Sequence, residues 1–95
     1  MKTIEHWRTQ INTVDTQLVR LLNQRARFAQ RIGRLKARNG RRLWCPTRER
    51  AVLERIAMLN DGPLDRRSIQ RLFRVIIRES RRSEAAAMRG NGRKP

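Results

Sequence analysis

Five residues carry most of the chemistry this sequence offers: Arg25, Lys36, Glu49, Ser80 and Glu84. Each falls on a helix face whose other members are mostly apolar. Read in steps of seven, Ile4, Ile11, Leu18, Arg25 and Ile32 form one row and Trp7, Val14, Leu21, Phe28 and Leu35 a second, so nine of ten seam positions are apolar and the tenth is a guanidinium. Lys36 lies eleven residues after Arg25, three helical turns on, and shares its face. Glu49 precedes Val52, Leu53 and Ile56 by three, four and seven positions, while Ser80 and Glu84 continue the row Ile69, Leu72, Phe73, Ile76. An unpaired charge on an inward face loses on the order of several kcal/mol of hydration. Two readings of Arg25 stand at this point. It is either one half of a register-setting ion pair with Glu49 or Glu84, or the floor of a polar pocket for a small anion. Taken singly, each residue has a bland account: Lys36 reaching water near a helix end, Ser80 small enough for any core, Glu84 solvated. Their coincidence on the inward faces of three helices favours the pocket.

The usual nucleophilic and metal chemistries have no support. His6, near the N-terminus, has no partner at metal-ligand spacing and reads as a surface residue. Cys45 has no histidine placed to activate it and reads as a loop cysteine. No phosphate-cradling glycine loop is present. Any reaction here is expected to run on positioning and electrostatics, with no metal, cofactor or covalent intermediate.

The elements that would position these groups are helical. With few Gly, Pro and aromatic residues and a bias to Leu, Ile, Arg, Ala and Glu, the 95 residues are expected to form one all-α domain. The heptad pattern predicts a first helix from Ile4 to about Arg38, about 50 Å long, closed by Asn39-Gly40. A compact chain of this length has a radius of gyration of only about 12 Å, so a second copy is needed to cover such a rod. A short basic loop leads to Pro46, which suits the first turn of a second helix ending at Asn60-Asp61-Gly62-Pro63. A third begins after Asp65, a good N-cap. The helical domain is expected to span residues 1–88, with 89–95 a disordered basic tail.

The net charge of +16 attracts polyanions and steers small anionic ligands inward. The basic residues are spread over all three helices and no zinc spacing or RNA-binding aromatic motif appears, so nucleic acid is expected to bind only non-specifically. No apolar signal core or membrane span is apparent and one cysteine makes no internal disulfide, which reads as a soluble cytoplasmic protein.

The residues in order also resemble a known family. Arg8-x-x-Ile11-x-x-x-Asp15, Leu21-Leu22-Asn23-x-Arg25-Ala26, Ile32-Gly33-x-x-Lys36, Pro46-x-Arg48-Glu49, Asn60-x-Gly62-Pro63-Leu64 and Leu72-Phe73-x-x-Ile76-Ile77-x-x-Ser80-x-x-x-Glu84 look like the all-α chorismate mutases over residues 4–88. The resemblance implies an intertwined homodimer of three-helix chains that catalyses the Claisen rearrangement of chorismate, a dicarboxylate, to prephenate. By that resemblance Arg25 and the partner chain's Arg8 hold the substrate carboxylates, and Lys36 and Glu84 bond the ether oxygen. Glu49 accepts from the ring hydroxyl, Ser80 contacts a carboxylate and Arg48 supports. The spacing agrees with the split between chains: seventeen residues put Arg8 and Arg25 about 25 Å apart along one helix.

Two positions depart from the family pattern or vary within it. Cys45 stands where the family usually has aspartate, which leaves an amino analogue of chorismate open as substrate. Glu84 stands where some members have glutamine, and a carboxyl group can donate to an ether oxygen only while protonated. The rival readings are elimination of pyruvate from isochorismate, rearrangement of the amino analogue, and a non-catalytic basic dimer that binds nucleic acid.

Overall fold

The computed structural model describes residues 1–90. Three helices follow in order: α1 (Ile4–Asn39), α2 (Pro46–Leu59) and α3 (Arg66–Gly90). Their boundaries have local causes. Thr3 is extended and its Oγ1 accepts from the His6 N–H at 3.1 Å, satisfying one free donor of the first turn of α1. At the other end Gly40 adopts the left-handed conformation, φ 67°, and the Arg41 N–H donates to the Lys36 carbonyl at 2.9 Å. Lys36 and Arg38 in that last turn complement the helix dipole. Pro46 opens α2, where its missing N–H costs nothing. Asp65 caps α3: its Oδ1 accepts from the Ser68 N–H at 2.7 Å, and this bond holds the exposed carboxyl below its ordinary pKa.

α3 packs against both other helices, while α1 and α2 do not pack on each other. Gln70 ties α3 to α2 by donating to the Leu53 carbonyl at 3.2 Å. The result is a slab of 58 × 32 × 14 Å, barely thicker than one helix with its side chains, about 10–12 Å. Its radius of gyration, 16.9 Å, exceeds the roughly 12 Å of a compact chain this long.

The heptad seam faces outward. All nine of its apolar residues are exposed within the single chain, from Ile32 at 48% to Ile4 at 69%. The face that α1 turns to α3 is offset from the seam and made of small residues: Ala26, Ala29, Gly33 and Ala37 are buried or half-buried. Leu72, part of the row expected to face inward on α3, is also exposed. Apolar periodicity thus marks a face that covers nothing in this chain, and Ile77 is the only buried large apolar residue among the described residues. The C-terminal boundary needs correction as well. α3 continues through Arg89 and Gly90, both expected in the tail, because the alanine run Ala85–Ala87 carries helix to the end of the described residues. The rest of the expected tail, 91–95, lies outside the described residues.

Gly33 is the buried residue of α1 and lies close against the α3 backbone at Glu84. A Cβ there would overlap the Glu84 carbonyl oxygen and lie 3.1 Å from the carbonyl carbon. Since backbone cannot yield as a side chain tip does, Gly33→Ala is expected to lower stability by about 1–3 kcal/mol. In an ordinary helix interior the same change gains about 1 kcal/mol. Urea unfolding followed by circular dichroism at fixed protein concentration distinguishes the two, and an unchanged or raised midpoint contradicts the contact.

Candidate active site

The offset between seam and packing face puts Arg25 and Lys36 on the flank of α1, beside α3. There the Arg25 guanidinium donates to the Ser80 hydroxyl at 2.5 Å. Burial, and secondarily the charge of Arg48, lowers the Arg25 pKa from its ordinary value. Both effects disfavour the charged form, yet a guanidinium keeps its proton, so the arrangement favours any anion that reaches it. Among the described residues Arg25 forms no ion pair. The register-setting pair with Glu49 or Glu84 is therefore absent.

Both carboxylates are engaged elsewhere. Glu84 Oε1 lies 2.9 Å from Lys36 Nζ, and the two side chains are 11% and 18% exposed. Lys36 also donates to the Leu43 carbonyl at 2.9 Å, so it turns inward and pins the loop after α1. An ammonium has three donors, and these contacts leave one free. Ser80 and Glu84 are buried, as their stripe predicts. Glu49, in the first turn of α2, pairs with Arg81 of α3, whose guanidinium sits 5.8 Å from the centroid of the Trp44 ring.

These groups surround one cavity of about 690 Å³. Seven of the eight residues singled out from sequence line it: Arg25 and Lys36 from α1, Cys45 from the loop, Arg48 and Glu49 from α2, and Ser80 and Glu84 from α3. Phe28, Ile32 and Val52 supply apolar wall. The eighth, Arg8, is elsewhere: it is exposed near the start of α1 and pairs with Glu5 at 2.7 Å. Sequence reasoning missed Arg81 and Arg41, which also line the cavity. In a helix with arginine at 66, 67, 71, 74, 78, 81, 82 and 89, no periodic signal separates Arg81 from its neighbours.

The charges do not balance. Five cations, Arg25, Lys36, Arg41, Arg48 and Arg81, face two acids. The acids are matched by Lys36 and Arg81, which leaves three guanidinium groups without an acidic partner among the described residues. A pocket with apolar walls, surplus guanidinium charge and a lysine–carboxylate pair to one side suits a small molecule with more than one carboxylate.

This three-helix fold is shared with proteins of one class. The family model for chorismate mutase type II matches residues 7–85, and the chain belongs to that family. The bifunctional chorismate mutase/prephenate dehydratase of Neisseria gonorrhoeae is 47% identical over 72 residues, 76% of this chain and 19% of that protein. Its counterpart in Aquifex aeolicus is 33% identical over 81 residues, 81% of this chain and 22% of that protein. The chain thus spans about a fifth of the length of these curated relatives. Among solved structures, form II of the chorismate mutase from Thermus thermophilus superposes with a TM-score of 0.85 at 32% identity, covering 87% of this chain and 94% of that one.

The two roles in the site separate in stability measurements. Arg25→Ala removes a cation that has no acidic partner among the described residues, so unfolding free energy is expected to change by less than about 1 kcal/mol. Glu84→Ala strands the Lys36 ammonium and is expected to cost about 3 kcal/mol. Equal losses in urea unfolding would contradict the pairing described.

Proposed function

We propose that this chain is a chorismate mutase that rearranges chorismate to prephenate, in the biosynthesis of aromatic amino acids, with no cofactor. The observation that carries this is Arg25: a half-buried guanidinium on the wall of a cavity, with no acidic partner among the described residues, amid surplus positive charge. The reaction is unimolecular. One C–O bond breaks as one C–C bond forms, and no proton is gained or lost overall, so the protein has two tasks.

The first task is conformational. Arg25, helped by Ser80 and by Arg8 of a partner subunit, holds the two carboxylates so that the bond-forming carbons meet, and removes much of the entropic barrier. Arg48 supports the same grip, and Glu49 accepts from the ring hydroxyl. The second task is electrostatic. Negative charge grows on the ether oxygen as the C–O bond lengthens, and the free donor of Lys36 stabilises it there. Glu84 adds a second hydrogen bond when it carries a proton.

A homodimer belongs to the same reading. Nine exposed apolar residues on one seam of a slab 14 Å thick form a patch that a soluble protein ordinarily covers. A second copy across that seam would bring the exposed Arg8 of one chain to the cavity of the other. The reading also takes the enzyme to be cytoplasmic. No helix among the described residues is long and apolar enough to cross a membrane.

Purified protein incubated with chorismate is expected to consume its ultraviolet absorbance and yield prephenate by NMR, with Arg25→Ala slower by about 100-fold to 1000-fold. Turnover of isochorismate or of the amino analogue in place of chorismate would move the assignment to those reactions. A second prediction concerns the donor beside Lys36. Glu84→Gln, whose amide N–H group is a donor, is expected to retain chorismate turnover, whereas Glu84→Ala is expected to be slower by about 100-fold to 1000-fold; equal losses in the two variants would remove this role.

A further inference from the structure

Arg81 is a cavity residue that the reading above leaves without a task. It lies on α3 directly after Ser80 and one turn before Glu84, half-buried, with its guanidinium between two elements it does not belong to. On one side NH1 donates to Glu49 Oε2 of α2, and on the other the group packs over the ring of Trp44 in the loop before α2. The contact with Trp44 is a cation–π arrangement, within the roughly 6 Å over which such attraction acts. Arg81 thus joins the loop, the start of α2 and the catalytic stretch of α3.

The surrounding charge gives this junction its meaning. Glu49 lines a cavity that also holds Arg25, Arg41 and Arg48, none of them paired with an acid among the described residues. A carboxylate set loose there is drawn to the nearest free guanidinium, since bidentate arginine–carboxylate pairs are among the stronger polar contacts. Such a pair would consume a cation that a substrate carboxylate needs. With Oε2 taken by Arg81, Glu49 keeps Oε1 for a ligand hydroxyl and stays off the anion-binding arginines.

We infer that Arg81 is a positioning residue that acts through Glu49, keeping this carboxylate oriented for the substrate hydroxyl and away from the guanidinium groups that bind the substrate carboxylates. The inference rests on the mutase reading and deepens it. Arg81 need not touch substrate. Its effect is selective: it governs how much of the cavity's positive charge remains available.

The experiment is a double-mutant cycle on chorismate turnover with Arg81→Met and Glu49→Gln. Arg81→Met is expected to lower kcat/KM by about 10-fold, chiefly by raising KM, because the freed Glu49 competes with substrate. Glu49→Gln lowers kcat/KM by itself, and in that background Arg81→Met is expected to change it by less than about twofold, since no carboxylate remains to be held. Arg81→Lys, which keeps the charge but not the planar fork, is expected to fall between wild type and Arg81→Met. The double variant removes both members of the pair and strands neither, so it keeps the comparison with Glu49→Gln usable even if Arg81→Met folds poorly. Arg81→Met as active as wild type, or losses that multiply independently in the double variant, overturns the inference and leaves the mutase reading intact. A wild type that does not turn over chorismate overturns both.

Discussion

The close approach of α1 to α3 at Gly33 is the contact on which the site depends. Only a residue without a side chain lets the Glu84 backbone come so near, and Lys36 and Glu84 meet because of it. The two helices run in the same sense, with Arg25 beside Ser80 and Gly33 beside Glu84. Eleven residues separate Arg25 from Lys36, about 16 Å along α1, while their partners on α3 are four residues and about 6 Å apart. Long flexible side chains on α1 therefore converge on short or buried ones on α3. Widening the gap at Gly33 by one methyl group acts on both ends of that convergence.

The polar site residues were legible because Arg25, Glu49, Ser80 and Glu84 interrupt or continue apolar rows and Lys36 shares the face of Arg25, and a polar group in such a row has few structural reasons to be there. Arg25, Lys36, Glu49, Ser80 and Glu84 all came to one cavity for that reason. The helix ends were legible through Thr3 and Asp65 caps, Pro46 and Gly40, whose backbone preferences are local. What periodicity does not encode is which chain covers an apolar face. The intrachain contact of α1 runs instead through Ala26, Ala29, Gly33 and Ala37, residues too small to stand out as a hydrophobic stripe. Arg81 was hidden for the opposite reason: its residue type is so common on α3 that only the position of Glu49 in space distinguishes it.

The pairing pattern sorts the charges by availability. Lys36 and Arg81 each have a carboxylate and a second contact, so their positions are fixed before any ligand arrives. Arg25, Arg41 and Arg48 have no acid among the described residues to hold them, and their charge is open to whatever anion enters. Burial makes Arg25 the costliest of these to leave unmatched, which is the direction its lowered pKa records. Fixed and open cations thus stand side by side within one cavity.

The thinness of the slab bears on how strongly those charges act. A layer one helix deep cannot surround its own cavity with apolar matter on every side, so water remains a near neighbour of each polar group. Coulomb attraction in such a place is closer to that of a surface, with an effective dielectric constant of about 20, than to that of a dry interior at about 4. The difference has to come from what closes over the open face. Whatever covers the cavity, substrate or a second protein surface, also sets the local dielectric, and so each new neighbour strengthens the field of every charge already in place.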